Sequence, residues 1–299
     1  MSVDLDAAYA FLAGHARMVD RRRLASVLGH GNPTSALSAV NAYRNPDGGY
    51  GWGLEPDLRS TSSQPGGALH AFEVFADLSP ATAPEAAGLC DWLDRVTLSG
   101  GGLPFALPIA DPAGCAPFWV GAHSGDASLQ ITAVVAAEAH RVARNDPAVA
   151  GHPWLDRATA YCLQASADLA AAAEPFAIEL AFAVRLLDVA AHRYPAAAEL
   201  LPVLGRHIPA SGLLPVIGGK EGETIRPLDY APNPDGAARS LFATDVIAAE
   251  LKRLAEQQRP DGGWEVDFAS YSPAAALEWR GHATVRALSV LAGNGMLDS

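Results

Sequence analysis

One turn is written twice in this chain, near its two ends. Arg44-Asn45-Pro46-Asp47-Gly48-Gly49-Tyr50-Gly51-Trp52 and Gln258-Arg259-Pro260-Asp261-Gly262-Gly263-Trp264 share the run Pro-Asp-Gly-Gly. Proline fixes φ, the aspartate accepts hydrogen bonds from the backbone just after it, and glycine accepts positive φ. Each copy follows an apolar-periodic segment, 36–43 in one case and 246–254 in the other, and precedes a polar gap and a further helical pattern. A helix that ends twice in the same turn predicts repeated helical hairpins, which bury their apolar faces only by stacking on neighbours. Trp52 and Trp264 are expected to lie buried behind their turns.

Two fainter echoes occur at 100–105 (Gly-Gly-Gly-Leu-Pro-Phe) and 211–215 (Ser-Gly-Leu-Leu-Pro). The four sites are spaced by roughly 54, 111 and 50 residues, so the middle gap spans about two repeats. The turn resembles the QW repeat of squalene–hopene cyclases and related triterpene cyclases and, more loosely, the repeats of protein prenyltransferase β subunits. The copy at 258–264 is the closer, since Arg44 stands where the repeat usually has Gln. The segment 54–65 also resembles one found in bacterial single-domain proteins that carry these repeats. The resemblance implies an all-α fold, an (α/α)6-like toroid or double ring of helical hairpins, with residues 1–299 as a single domain. Helices closing the turns, such as 34–44, would form the outer ring. Helices following them, near 65–78, 126–144, 175–192 and 279–293, would form the inner ring.

Composition agrees with a helical reading. Hydrophobic residues make up 49% of the chain, and few segments are β-branched runs. The 22 prolines and 28 glycines fall mostly between helical patterns, where they act as stops and turns. Helices are expected near 3–17, 20–28, 34–44, 65–78, 83–96, 126–143, 153–168, 175–191, 195–208, 236–257 and 279–293. A net charge of −12 with no basic stripe argues against a nucleic-acid partner. No apolar run reaches the ~18 residues of a membrane span. Cys90, Cys115 and Cys162 have no metal-ligand spacing; their odd number and the lack of a signal peptide point to reduced thiols in a cytoplasm. The spacing says nothing of oligomeric state.

Three long loops, 45–64, 98–124 and 209–235, feed the helices that follow the turns, and loops of that length usually carry function. The first holds Glu55, Asp57, Arg59 and Gln64 ahead of a helix opening at Pro65, where backbone N–H groups favour anions. Its structural reading is an Asp57–Arg59 ion pair with Ser63 as N-cap. The second holds His123 and Asp126; Asp126 is either an acid before an inner helix or a plain N-cap with Ser124. Triterpene cyclases protonate their substrate with the middle Asp of a D-x-D-D run, and that run is absent here. In Glu278-Trp279-Arg280-Gly281-His282 the chain resembles the last inner helix of prenyltransferases, where a His binds zinc. Its D-x-C partner pair is absent, so no metal is expected beyond Mg²⁺ carried by a diphosphate substrate. His70, Glu73 and Asp77, spaced i, i+3, i+7, offer a metal-binding face but read rather as a solvated stripe on an amphipathic helix, and Arg185, Asp188 and His192 read as a surface ion-pair face.

The resulting expectation is a terpene-cyclase-like enzyme for an apolar isoprenoid or polycyclic small molecule. Asp57, Glu55, Asp126 and His282 are the acid–base candidates; Arg59, Gln64, Trp52, His123, Trp119, Tyr230 and Trp279 would bind substrate or stabilise cationic charge. The alternatives are a glycan-active lyase or hydrolase with paired carboxylates at the mouth, or a non-catalytic ligand-binding or scaffold toroid.

Overall fold

The computed structural model describes residues 3–297. Among these residues the chain forms helices α1 (Leu5–His15), α2 (Met18–Val27), α3 (Pro33–Asn41), α4 (Pro65–Asp77), α5 (Ala86–Val96), α6 (Pro117–Val120), α7 (Leu129–Ala143), α8 (Pro147–Ala150), α9 (Pro153–Ala171), α10 (Ala177–Ala190), α11 (Pro195–Gly205), α12 (Pro227–Tyr230), α13 (Thr244–Glu256) and α14 (Pro273–Gly293). The only sheet among them is a two-residue hairpin, β1 (Leu214–Pro215) against β2 (Thr224–Ile225), with Leu214 opposite Ile225. The molecule is therefore helical, as the composition implied.

Proline opens α3, α4, α9, α11 and α14, where its missing N–H would have had no helical partner anyway. Asn32, Ser128 and Ser272 cap α3, α7 and α14 with side-chain oxygens. Two expected boundaries move. Helix α7 is capped by Ser128, whose Oγ accepts from Ile131 N, so Asp126 is not its N-cap and sits instead in the turn before it. Helix α14 begins at Pro273, before the expected 279, because Ser272 and Pro273 together form a complete start signal.

The repeat is visible in hydrogen bonds. Gly48 N donates to Asn45 O, and Asn45 N to Gly49 O; Gly262 N donates to Arg259 O, and Arg259 N to Gly263 O. The echo at 100–105 makes the same pair, Gly101 N to Leu98 O and Leu98 N to Gly102 O. The three central glycines have φ of 94°, 92° and 91°, a conformation that side chains with a Cβ avoid. The fourth echo keeps only the bond from Gly212 N to Pro209 O, because Pro209 has no N–H to donate.

Aligned on these bonds, the equivalent buried residues are Tyr50, Leu103 and Trp264, each 1% exposed or less. Trp52 lies two residues further on and is 55% exposed with φ of 57°. The expectation that Trp52 is buried was thus wrong in register: Tyr50 fills its place, its hydroxyl bonded to Asn41 Oδ1. Trp264 behaves as expected, with Nε1 donating to Leu254 O of the preceding helix. Its backbone N donates to Thr284 Oγ1, just as Leu103 N donates to Thr132 Oγ1.

One buried cluster runs through α3, α4, α5, α7, α9, α10 and α11, and a second joins α1, α2, α12, α13 and α14. Helix α14 packs on α2, α2 on α4, α4 on α7, α7 on α10, α10 on α12, α12 on α13, and α13 on α14. Helices α1, α3, α5, α9 and α11 lie against these from α2, α4, α7 and α10. Charged groups buried on the shared helices satisfy one another. Arg23 of α2 bonds Asp77 and Glu73 of α4, Arg141 of α7 reaches Asp77 and Glu138, and Arg185 of α10 closes the series on Glu138. His70 and Glu73 are buried, and the side chain of Asp77, paired with Arg23, is covered too, so the three are not a solvated stripe. Asp188 is likewise buried and accepts from Ala238 N, so it is not part of a surface ion-pair face.

The turn geometry has a direct consequence. A Cβ at Gly262 would lie 2.1 Å from Ala7 O at positive φ, whereas one at Gly218, also at positive φ, meets nothing within 4 Å. Gly262→Ala is expected to lower stability by at least ~2 kcal/mol more than Gly218→Ala, which carries only the local backbone strain. Urea denaturation of the two variants measures the difference.

Candidate active site

The loop from 45 to 64 is folded back on its own turn. Asp47 Oδ1 accepts from Gly49 N and Ser63 Oγ, and Oδ2 from Trp92 Nε1 of α5. Gln64 N donates to Tyr50 O, which starts α4 hard against the turn. Gly67 makes this approach feasible, since a Cβ there would meet Tyr50 O at 2.2 Å. Ser63 is therefore bound to the turn, not to the end of α4 as an N-cap.

The loop then gathers two other segments to the N-terminal end of α4. The Gln64 amide accepts from Leu107 N and donates to Leu107 O, fixing the segment after the third repeat turn. Asp57 Oδ1 accepts from Tyr271 N and Oδ2 from Trp279 Nε1 at 2.7 Å. Arg59 pairs with Glu278 of α14 through both terminal nitrogens, not with Asp57. Glu55, Asp57, Arg59 and Gln64 thus gather around Trp119 and Trp279, while Asp126, expected beside them, forms no hydrogen bond or ion pair with any of them.

Glu55 differs from its neighbours in having an oxygen with nothing to bond. It is 6% exposed, and Oε2 has no hydrogen-bond partner. Its side chain and that of Trp119 pack side by side over Gly66, and Trp119 Nε1 is also buried without a partner. Burial first, and then the negative charge of Asp57, push the Glu55 carboxyl well above its ordinary 4.5, despite the opposing pull of Arg17. Around it stand aromatic rings: Phe105 stacks on Trp119 at 4.4 Å, and the half-exposed Phe118 and Tyr271 meet edge to face at 5.5 Å. The arrangement is a buried carboxyl of raised proton affinity beside an aromatic rim, which suits a proton donor.

Deeper along the same helices lies a second polar group. His70 Nδ1 is 2.9 Å from Glu73 Oε2, and His282 Nε2 is 3.0 Å from the same oxygen. Arg23 donates to it as well, at 3.1 Å. Burial opposes the Glu73 charge, but His282, Arg23 and His70 in that order outweigh it and hold the carboxyl well below its ordinary value. Burial lowers the pKa of His70. Trp279 joins the two levels, since its ring meets His70 and His282 edge to face while its Nε1 binds Asp57.

Other expected residues lie elsewhere. Asp126 and His123 are exposed and share a turn of their own. Tyr230 is fully buried against Phe242, and Trp52 Nε1 bonds Asn45 on the outside of the turn. Sequence reasoning missed Phe105, Tyr271, His70, Glu73 and Arg23. The signal for His70 and Glu73 was present, since α4 is otherwise apolar on every face and such a helix is buried together with its polar residues.

No protein-family model matches the sequence, and no curated protein matches it. Among solved structures, a crystal structure of a protein from Actinoplanes is similar over 92% of this chain and 89% of that one, with a TM-score of 0.53 and 17% identity. The likeness is one of fold.

Two outcomes follow from the acids. Asp57→Asn leaves one of two buried donors, Tyr271 N or Trp279 Nε1, facing an amide nitrogen, and should cost about 1–3 kcal/mol in thermal or urea unfolding. For Glu55 the folded pKa lies above the unfolded one, so its contribution is fully present below about 4.5 and is lost as pH rises through the folded value. The stability of wild type relative to Glu55→Gln should therefore fall with rising pH, which melting curves from pH 4 upward read directly.

Proposed function

We propose that the chain is an enzyme of the α/α toroid type that transfers a proton from Glu55 to an apolar, isoprenoid-like substrate held by the aromatic rim. The double-ring reading is supported by the order of helix neighbours, which returns to its start through α14, α2, α4, α7, α10, α12 and α13, with further helices laid against that series. It is also supported by the three matching turns that feed α4, α7 and α14. The single observation that carries the chemistry is the buried Glu55 carboxyl with a free oxygen beside Trp119.

In this reaction the substrate's π pair takes the Glu55 proton to form a C–H bond, and the adjacent carbon becomes cationic. Ring closure moves that charge along the substrate; loss of a proton to the Glu55 carboxylate restores the acid directly, and loss to water leaves the carboxylate to take its proton back from solvent. Phe105, Trp119 and Phe118 offer π faces to the passing charge. Asp57 serves the site by position: both its oxygens are engaged, so it holds Trp279 and Tyr271 in place and raises the Glu55 pKa through its charge. That engagement also weighs against paired-carboxylate glycan chemistry, which needs a second carboxylate free to act.

The test is incubation with linear polyprenyl alkenes, squalene among them, in D₂O, followed by mass spectrometry. An acid-initiated reaction should give an isomeric product carrying deuterium. Glu55→Gln should lower its rate by about 100-fold or more while the fold persists. Equal rates in wild type and Glu55→Gln would remove Glu55 from the mechanism.

A further inference from the structure

His70 and Glu73 sit one helical turn apart on α4, and His282 approaches from α14. One ligand atom from each, two imidazole nitrogens and a carboxylate oxygen, lies within 4.8 Å of the others. The contacts of 2.9 and 3.0 Å to Glu73 Oε2 are slightly shorter than the ~3.3 Å separating ligands around an ion with bonds near 2.0–2.1 Å. Only a small outward shift would admit an ion. His70 is 4% exposed, and its Nε2 meets no hydrogen-bond partner. The other ring nitrogen, Nδ1, is bonded only to Glu73 and is the one placed to ligate.

Charge permits a dication. Arg23, Arg141 and Arg185 are balanced one for one by Glu73, Asp77 and Glu138. The other nearby cations are matched as well, Arg17 by Asp20 and Arg286 by Asp229, so a dication meets no uncompensated positive charge. Arg23 also holds the Glu73 carboxylate by donating to Oε2, the part an outer hydrogen-bond donor plays around a ligating carboxylate.

We propose that His70, Glu73 and His282 form a binding site for one first-row divalent metal ion. Two imidazoles and a carboxylate suit zinc or iron(II), and three protein ligands leave a position open for water or substrate, unlike the closed four-ligand sets of structural zinc. The sequence pointed away from metal because His70, Glu73 and Asp77 read as a solvated stripe and His282 lacked a D-x-C partner pair; it could not show that α4 and α14 bring the two histidines together. The site uses none of the groups assigned to proton donation, so the two proposals stand or fall separately.

The experiment uses the full chain stripped with chelator and titrated with zinc, cobalt(II), iron(II) and manganese(II). One ion per chain should bind, with micromolar or tighter affinity, for at least one of these metals. Cobalt should develop visible absorption bands, and the thermal midpoint should rise with metal concentration. Glu73→Gln and His282→Gln should each weaken binding by at least about 100-fold, while His140→Gln, a buried histidine outside the set, should leave it unchanged. If Glu73→Gln fails to fold because Arg23 loses its partner, His282→Gln and the cobalt spectrum of wild type still decide the matter. Absence of stoichiometric binding up to millimolar metal, or binding indifferent to His282→Gln, would overturn the site.

Discussion

The structure rests on a backbone clasp. A glycine at φ near +90° closes one hydrogen bond on the residue three before it, and that residue closes a second on the glycine's successor. The clasp ends a helix and reverses the chain. Five residues after it begins, it delivers an apolar side chain, Tyr50, Leu103 or Trp264, into the space between helices. Helices of this length are marginal alone, so their persistence depends on that delivery and on the stacking it permits. Where the clasp is incomplete, at Pro209, the chain has room for a hairpin and the four-residue helix α12 instead of a long helix.

A second constraint follows from packing helices against helices on every side. Helices α4, α7 and α10 are buried over most of their surface, yet they carry Glu73, Asp77, Glu138, Arg141 and Arg185. A buried charge without a partner is expensive, so these groups pair across helix boundaries and extend to Arg23 on α2. The same logic makes the exceptions informative. Glu55 Oε2, Trp119 Nε1 and His70 Nε2 are left without partners inside a protein that satisfies most of its interior. These three lie on α4, α6 or the loop entering α4; Glu85 Oε2, Ser166 Oγ, Tyr230 Oη and Arg280 Nε lack partners on other elements.

Much of the fold was legible in the chain. The Pro-Asp-Gly-Gly turns, the proline helix starts and the 3.6-residue apolar period placed most long helices within a few residues. That Glu55, Asp57, Arg59 and Gln64 share one place was also readable, because all four belong to the loop feeding α4; that Asp126 stands apart and Trp279 reaches them from within α14 was not. The roles within that group were not. Asp57, expected either as an acid or in an ion pair with Arg59, is tied at both oxygens to Tyr271 and Trp279, while Arg59 turns away to Glu278. Partners more than 200 residues apart in sequence leave no local mark.

Local rules therefore determined where the chain turns, which segments are helical and which loops approach the helix starts, since these depend on backbone torsions and short-range periodicity. Only the tertiary structure decided that Tyr50 rather than Trp52 is buried, that His70 and Glu73 face His282, and that Glu55 is the carboxyl left without a partner. Those outcomes depend on what arrives from distant helices. Burial, charge pairing and proton affinity are properties of a surrounding that no single segment contains.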